Sequence, residues 1–212
     1  MAHVPATVRR AQIIEAATAV IARDGVAGAT TRAIAREAGV TLATLHYVFA
    51  TKDDVLVGVL ESLLGKAKET IDQSSARSGV TQAGSREGLA GALQDLAQTY
   101  WTMIQDDLGS QRVQYELTLH ALRTPQAADM GRTLYGYYLD AAETLIRDAC
   151  ERTGETVHAP VRDLAHLTVS GIDGILLQNL VVADPEQARR SLDNLVRAVL
   201  ALATSGPGEG AE

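Results

Sequence analysis

The stretch TRAIAREAGVTLATLHYVF, residues 31–49, decides the fold of this 212-residue chain. Apolar residues recur at helical spacing in its first part and again in its second part, but no single helical period joins the two. Between the two parts stands Gly39, a residue able to adopt the left-handed backbone that ends a helix. Thr41 follows as an N-cap for the second helix, and Thr30 or Thr31 can cap the first. This stretch therefore predicts a helix-turn-helix, a motif whose second helix docks in the major groove of DNA.

The outward side chains of the predicted second helix suit contact with DNA. They include hydroxyl, imidazole and phenol groups together with small apolar groups, and such groups hydrogen-bond base edges or contact thymine methyls. These outward residues are Leu42, Ala43, Thr44, His46 and Tyr47. From the pattern alone, a second interpretation stays open, in which the same glycine and alanine spacing forms an αα-corner inside a helical bundle.

Charge is distributed unevenly along the chain. Residues 1–52 hold six Arg or Lys and three Asp or Glu, a net charge of +3, whereas the remainder carries a net charge of −10. Nucleic acid requires positive charge only where it is contacted, so the overall charge of −7 does not exclude a DNA-binding protein. The basic segment coincides with the predicted helix-turn-helix.

The region from about Val8 to Leu60 resembles the DNA-binding domain of the TetR family of transcriptional regulators. The residues that carry the resemblance are Thr30-Thr31-Arg32, Ile34-Ala35, Ala38-Gly39-Val40, Leu45, Phe49 and Lys52. Over the rest of the chain, only the helical layout and the length agree with that family.

The resemblance also implies roles for individual residues. Arg32 and Thr44 would approach bases, and Thr31, Tyr47 and Lys52 would approach phosphates. The full set of expected DNA-binding residues is Thr31, Arg32, Thr41, Leu42, Ala43, Thr44, His46, Tyr47 and Lys52.

Helical periodicity dominates the remaining sequence, and no alternating strand pattern persists. We therefore expect an all-α fold with an N-terminal three-helix helix-turn-helix DNA-binding domain, residues 1–52. A C-terminal helical ligand-binding and dimerisation domain would follow over residues 53–204, with a flexible tail at 205–212. The polar segment 74–88, rich in serine and glycine, predicts a mobile loop.

The last two predicted helices suggest association of two copies of the chain. Apolar residues spread around more of the final helix than a single core requires, and the preceding helix carries glycines that allow a neighbouring backbone to come close. This pattern suits a self-complementary four-helix interface around a two-fold axis. The expected interface residues are Gly171, Gly174, Leu192, Val196 and Val199. Burial of the final helix wholly within its own domain is the alternative.

Aromatic residues indicate a second site. Six of the eight lie between residues 100 and 138, where such rings can form apolar walls with polar tips around a small molecule. Together with the family resemblance, they predict a ligand site formed by Tyr100, Trp101, Ile104, Gln114, Tyr115, Thr118, Tyr138 and Gln178. Packing of these rings in an ordinary core is the alternative for any single tyrosine.

Other features point away from catalysis. Cys150 is the only cysteine, so a disulfide within the chain is impossible and no cysteine cluster for zinc exists. No catalytic motif, metal-ligand spacing, phosphate-binding loop or membrane-length apolar run is apparent, so we expect no cofactor, no metal and no membrane association.

The leading hypothesis is a cytoplasmic homodimeric DNA-binding regulator that responds to a ligand. It would be a repressor that a small, largely apolar or aromatic molecule releases from a palindromic operator. The alternative is a small helical enzyme or ligand carrier that contains a helix-turn-helix-like corner.

Overall fold

The computed structural model describes residues 5–80 and 88–205, except for the side chains of residues 74–80, 125–127 and 130. Over these residues the chain forms helices and no strands, which confirms the expected all-α class. The helices are α1 (Ala6–Gly28), α2 (Thr31–Glu37), α3 (Leu42–Val48), α4 (Lys52–Val80), α5 (Gly88–Gln105), α6 (Leu108–Ala121), α7 (Pro125–Thr153), α8 (Val161–Val182) and α9 (Pro185–Thr204).

Threonine side chains define the starts of α2 and α3. The Thr30 hydroxyl accepts a hydrogen bond from the backbone N–H of Ala33 at 3.1 Å, and Thr41 accepts one from Thr44 at the same distance. Each hydroxyl satisfies a backbone donor that has no partner within the first turn of its helix. Of the two threonines proposed for α2, Thr30 is therefore the cap.

The turn between α2 and α3 is set by Gly39, which has φ of 61°. Its N–H donates to the carbonyl of Arg36 at 3.1 Å, and the N–H of Val40 donates to the carbonyl of Ala35 at 2.9 Å. These two bonds form a Schellman motif, which satisfies the last carbonyls of α2. A left-handed residue at this position is the reason that the turn needs glycine.

Helix α4 begins with a reciprocal cap and runs further than expected. Thr51 N–H donates to the Asp54 carboxylate at 2.8 Å, and Asp54 N–H donates to the Thr51 hydroxyl at 3.1 Å. The helix continues to Val80, so the loop expected over 74–88 is corrected to helix as far as residue 80. Extending an established helix is easier than starting one, which allows α4 to continue through serine and glycine. Residues 81–87 lie outside the described part of the chain.

The chain divides into two compact units, which are not continuous in sequence. Unit 1 comprises Met1–Lys68 and Asp107–Leu134, and unit 2 comprises Glu69–Asp106 and Tyr135–Glu212. The boundaries of these compact units fall within α4 and α7 and before α6. Helix α6 packs against α1 and so belongs to unit 1, a contact between distant segments that sequence periodicity does not encode. Except for Ser205, the tail expected at 205–212 lies outside the described residues.

The core of unit 2 is built from four helices. Its buried residues come from α5, α7, α8 and α9, and they are Leu89, Leu93, Ile146, Ala149, Leu164, Ala165, Val199 and Ala203. At the start of α5, Leu89 N–H donates to the Glu155 carboxylate at 2.7 Å, which satisfies one of the free donors of that helix.

Candidate DNA-binding surface and ligand site

Helices α2 and α3 pack on α1 through an apolar core. Ile34 and Leu45 are fully buried, and Phe49, directly after α3, is 2 % exposed. Arg10 of α1 covers the Phe49 ring, with its guanidinium carbon 4.7 Å from the ring centroid, and it also forms an ion pair of 2.9 Å with Glu61 of α4. This packing supports α3 from behind while leaving its opposite face accessible.

A side chain of α1 also holds the turn between the two helices. Gln12 donates from Nε2 to the carbonyl of Ala38 at 2.7 Å. This contact was not predicted from the sequence, although a polar residue directly before the apolar pair Ile13-Ile14 is a visible signal. The bond occupies a carbonyl at the end of α2, which would otherwise lack a partner in its own helix.

The nine residues expected to contact DNA all lie in unit 1. Tyr47 is the most accessible large side chain among the described apolar residues, with 87 % of its surface exposed. The other fully exposed members of the set are Arg32, Thr41, Ala43 and His46. The partly exposed members are Thr31, Leu42, Thr44 and Lys52. None of the nine is buried, so all can be reached from solvent.

Thr44 has a local partner in addition to its accessible surface. Its hydroxyl lies 2.8 Å from the hydroxyl of Thr41, and either atom can donate. This bond orients Thr44 on the first turn of α3, where recognition helices contact bases. The cap of α3 is therefore continuous with its accessible face.

Both backbone hydrogen-bonding groups of Val26 are held by side chains from other helices of unit 1. The ammonium group of Lys52 donates to the Val26 carbonyl at 2.7 Å. The Val26 N–H donates to the Glu116 carboxylate at 3.3 Å. Gly25, with φ of 71°, kinks α1 immediately before this residue. The start of α4 and the middle of α6 thus meet at one residue near the end of α1.

Two further contacts attach α6 to α4 within unit 1. His120 lies 3.7 Å from the Asp53 carboxylate, an ion pair when the imidazole is protonated. Lys66 lies 3.5 Å from the carboxylate of Asp107, the residue that caps α6. Exposed pairs of this kind contribute little stability individually, so they fix position more than they strengthen the unit.

In unit 2, four tyrosines form a group with a carboxylate. We call this group the tyrosine–aspartate cluster, and its members are Tyr100, Tyr135, Tyr137, Tyr138 and Asp173. The rings of Tyr135 and Tyr138 meet edge to face with centroids 6.0 Å apart, and the centroids of Tyr137 and Tyr138 are 6.2 Å apart. The phenol of Tyr135 donates to the Asp173 carboxylate at 2.8 Å.

Burial shifts the acidity of the phenols in this cluster. It raises the pKa of Tyr100 to about 12, with smaller contributions from Tyr137 and the Asp173 carboxylate. Burial is also the main reason that the pKa of Tyr138 stands well above its usual value. These phenols are therefore neutral across the physiological range and act as hydrogen-bonding groups with aromatic faces.

The structure divides the expected ligand-binding residues between the two units. Tyr100, Trp101, Ile104, Tyr138 and Gln178 belong to unit 2, and Gln114, Tyr115 and Thr118 belong to unit 1. Trp101 and Ile104 are 6 % and 3 % exposed, whereas Gln178 is exposed. Asp173 was not predicted from the sequence, although an acidic residue within the apolar run TVSGIDGILL of α8 is a detectable signal.

A pair of amides in unit 2 has hydrogen-bonding capacity left over. Asn179, which is 8 % exposed, donates from Nδ2 to the Gln105 side-chain oxygen at 3.3 Å. The Asn179 oxygen and the Gln105 nitrogen have no hydrogen-bond partner among the described residues. Buried polar groups of this kind are costly, and they recur where a protein binds a polar ligand group.

The residues expected at a dimer interface differ in how far they are buried within a single chain. Leu192, Val196 and Val199 are only 1 %, 9 % and 5 % exposed within a single chain, so they pack inside their own unit and cannot form an exposed face. Gly171 also serves this internal packing, because a Cβ at that position would overlap Leu195 of α9. Only Gly174 faces open space. Whether these five residues contribute to an interface between two copies stays a prediction.

Helix α8 carries most of the exposed large apolar residues of unit 2. They are Leu167, Leu177, Val181 and Val182, and Leu202 on α9 is also exposed. Within the described residues, α8 is one helix long and apolar enough to cross a membrane by length and composition, and 17 % of its most apolar window is buried. The same composition suits a helix that packs against a second protein surface.

Metal and thiol chemistry have little support in the described residues. Over 5–80 and 88–205, no group of three or more His, Cys, Asp or Glu side chains is placed to hold a metal. Cys150 is partly buried, and burial together with nearby Glu155 raises the pKa of its thiol. A raised pKa disfavours the reactive thiolate.

Comparison with known proteins identifies the two parts of the chain. Residues 13–59 match the family described as bacterial regulatory proteins, tetR family. Residues 84–202 match the family described as tetracyclin repressor-like, C-terminal domain. Together the two matches include α2, α3 and the tyrosine–aspartate cluster.

Individual relatives agree with these matches. The HTH-type nicotine-responsive transcriptional repressor HdnoR of Paenarthrobacter nicotinovorans is 34 % identical over 194 residues, covering 91 % of this chain and 94 % of the relative. A transcriptional regulator from Rhodococcus sp. Rha1 has a similar fold, with a TM-score of 0.73, 20 % identity and coverage of 93 % and 99 %. The multidrug binding protein EbrR, solved with imidazole, has a TM-score of 0.65, 26 % identity and coverage of 94 % and 97 %.

These findings confirm the resemblance that the helix-turn-helix residues carry. A relative more than 30 % identical over nearly the whole of both chains, together with matches to both domains, establishes membership. The chain therefore belongs to the TetR family and is a ligand-responsive DNA-binding transcriptional regulator.

Proposed function

We propose that this regulator is a cytoplasmic homodimeric repressor that binds a palindromic operator through α3 and leaves it when a small effector binds unit 2. The observation that carries the proposal is the accessible face of α3, supported by α1 and dominated by the exposed ring of Tyr47. The nicotine response and repressor activity in the name of HdnoR support a small, largely apolar or aromatic effector for this chain as well.

The proposed DNA contacts follow from the exposed groups of α2 and α3. Arg32 and Thr44 contact bases, and Thr31 and Tyr47 contact phosphates. Around them Thr41, Leu42, Ala43 and His46 complete the surface. Arg32 is the strongest candidate for base recognition, because a guanidinium can donate two hydrogen bonds to one guanine.

Lys52 has a more constrained role than the other phosphate contacts. One of its three ammonium donors is used by the Val26 carbonyl, so two remain for a phosphate. This internal bond holds the charge near the start of α4 before DNA arrives. It reduces the side-chain entropy that Lys52 loses when it binds DNA.

The proposed dimer uses the exposed apolar side chains of α8 and α9. Leu167, Leu177, Val181 and Leu202 would be buried against a second copy, with Gly174 allowing close approach of the partner helix. Removing such surface from water is the main force for association of folded proteins. It also accounts for the apolar composition of α8 without a membrane. A two-fold dimer presents two α3 helices, which corresponds to a palindromic operator.

The effector would bind among residues of unit 2. Tyr100, Trp101, Ile104 and Tyr138 provide apolar and aromatic surface, and Gln178 is an accessible amide. Gln114, Tyr115 and Thr118 of α6 belong to unit 1 and stay separate candidates for contact with a ligand. The Thr118 hydroxyl has no hydrogen-bond partner among the described residues.

Operator binding by α2 and α3 is tested by selecting the operator from random DNA and measuring its affinity. We expect Arg32→Ala to weaken binding to the selected operator by about tenfold or more, because each good base contact contributes about 1–3 kcal/mol. Arg197→Ala, which removes an exposed arginine of α9, is the matched control and should bind as the wild type does. Equal affinity of Arg32→Ala and the control would exclude the proposed surface.

The dimer is tested by sedimentation of a double variant. Leu177→Glu with Val181→Glu should give a monomer, because two carboxylates would be buried against the partner. Val8→Glu changes an exposed apolar residue of α1 and should leave the dimer intact. A dimeric double variant would move the interface away from α8.

A further inference from the structure

The tyrosine–aspartate cluster contains a partly buried carboxylate that is hydrogen-bonded by one of its tyrosines. Tyr135 donates to the Asp173 carboxylate, and the rings of Tyr137 and Tyr138 follow along the same helix. A hydrogen bond from a phenol stabilises the charged carboxylate without neutralising it. The negative charge of Asp173 therefore lies at the hydroxyl end of Tyr135, whose ring meets that of Tyr138 edge to face.

The rings are desolvated and yet accessible. Burial raises the pKa of Tyr100 to about 12 and that of Tyr138 in the same direction, so protein atoms surround both phenols. Nevertheless, both residues retain part of their accessible surface. A ring with both properties can contact a small molecule while staying largely shielded from water, and aromatic side chains of this kind are typical of small-molecule sites.

The charged groups beside the cluster are negative. The Asp173 carboxylate contributes to raising the pKa values of Tyr100, Tyr135 and Tyr138, and Asp72 does the same for Tyr137. Aromatic faces add the negative side of their quadrupoles. A cation is attracted by both contributions, whereas a carboxylate or phosphate ligand would be repelled.

We propose that the effector is an organic cation, either a protonated amine or a quaternary ammonium compound with an apolar or aromatic body, held by the tyrosine–aspartate cluster. This inference rests on the proposed function, because it names the chemical class of the effector that unit 2 binds. The Asp173 carboxylate supplies the charge, and the rings supply cation–π contacts in a desolvated setting. The apolar body of the effector would lie against the neighbouring Trp101 and Ile104.

The test compares cations with uncharged molecules of the same shape. Phenyltrimethylammonium and benzyltrimethylammonium are titrated against their carbon isosteres, tert-butylbenzene and neopentylbenzene. Binding is followed by the fluorescence of Trp101, the only tryptophan, and by calorimetry. We expect each cation to bind at least about tenfold more tightly than its isostere. A desolvated cation–π contact contributes about 2 kcal/mol, and a tenfold change in affinity corresponds to about 1.4 kcal/mol.

Three variants separate charge from shape and from fold. Asp173→Asn retains an acceptor for the Tyr135 phenol and removes the charge, so preference for the cations should fall to about threefold or less. Asp163→Asn removes an exposed carboxylate from the same helix and should preserve the preference. Tyr138→Leu removes one ring while keeping the charge and should reduce cation affinity by about fivefold. Circular dichroism and urea unfolding of each variant check that the fold is retained.

Two outcomes would overturn the inference. The first is a wild-type protein that binds the cations no more tightly than the isosteres. The second is an Asp173→Asn variant that is folded and retains the full preference. Operator affinity is measured on the same preparations with and without each compound. Release of the operator by neutral compounds alone would refute the cation inference while supporting the proposed function, and absence of operator binding in every preparation would refute the proposed function instead.

Discussion

Polar groups lie in different places in the helix-turn-helix and around the tyrosine–aspartate cluster. Around α2 and α3 the interior is apolar, and backbone groups at the helix ends are satisfied by the side chains of Thr30, Thr41 and Gln12. The polar side chains of that region face outward. In unit 2, a carboxylate, several phenols and two amides lie wholly or partly inside, and the Asn179 oxygen and Gln105 nitrogen lack partners among the described residues.

This difference separates a surface built for rigid presentation from an interior suited to binding. A well-packed apolar core with satisfied caps holds side chains in one arrangement, which a DNA-reading surface needs. Desolvated polar groups lower stability, and proteins tolerate that loss mainly at functional sites. Substitutions in the two regions should therefore have different consequences for the free energy of unfolding.

The largest effect is expected in the apolar core beneath α3. Leu45→Ala should lower the free energy of unfolding by about 2–5 kcal/mol, because Leu45 is fully buried and the cavity left behind cannot be filled by its neighbours. Urea unfolding measures this change. Tyr47→Ala, on the exposed side of the same helix, should change stability by less than about 0.5 kcal/mol. Comparable losses from both substitutions would show that α3 has no distinct buried face.

A smaller effect is expected from the amide pair in unit 2. Asn179→Leu should destabilise the protein by about 1–3 kcal/mol, because the buried oxygen of Gln105 loses its donor. Adding Gln105→Leu should recover most of that loss, since replacing both partners by apolar groups removes the desolvation cost. Urea unfolding of the two single variants and the double variant completes the cycle. Additive losses would mean that the pair is not coupled.

The turn of the helix-turn-helix should be sensitive to backbone conformation alone. At Gly39 a Cβ would meet no atom within 4 Å, so Gly39→Ala tests only the positive φ. We expect the free energy of unfolding to fall by about 1–2 kcal/mol, which is the cost of a left-handed backbone for an ordinary residue. Gly39→Asn is the control and should lose less, because asparagine tolerates that region better. Thermal unfolding distinguishes the two variants.

The smallest effect appears only in alkaline solution. Because the pKa of Tyr100 is raised to about 12 in the folded chain, its neutral form is favoured by folding. Its contribution to stability is complete below the unfolded pKa of about 10 and is lost as pH rises from there towards 12. Between pH 9 and 11, the free energy of unfolding of the wild type should therefore fall by about 1 kcal/mol more than that of Tyr100→Phe. Parallel curves for the two proteins would mean that burial of this phenol is not coupled to folding.

Local signals in the sequence were sufficient for the helix-turn-helix. The cap at Thr41, the left-handed turn at Gly39 and the exposed position of Tyr47 each depend on residues a few positions away. The cluster in unit 2 depends on contacts between α5, α7 and α8, so the aromatic enrichment was visible but the contribution of Asp173 was not. Similarly, the amphipathic pattern of α9 indicated an apolar face without revealing that Val196 packs within its own chain.

The hydrogen bonds at Val26 make one amide a reporter of helix α6. This N–H donates to a side chain of α6, the Glu116 carboxylate. Its exchange with solvent deuterium therefore depends on whether α6 stays in place, and not on global unfolding alone. In a Glu116→Gln variant the same proton would face a neutral acceptor and should exchange faster. A single exchange rate, measured by NMR at residue 26, thus follows the attachment of α6 to the end of α1 in solution.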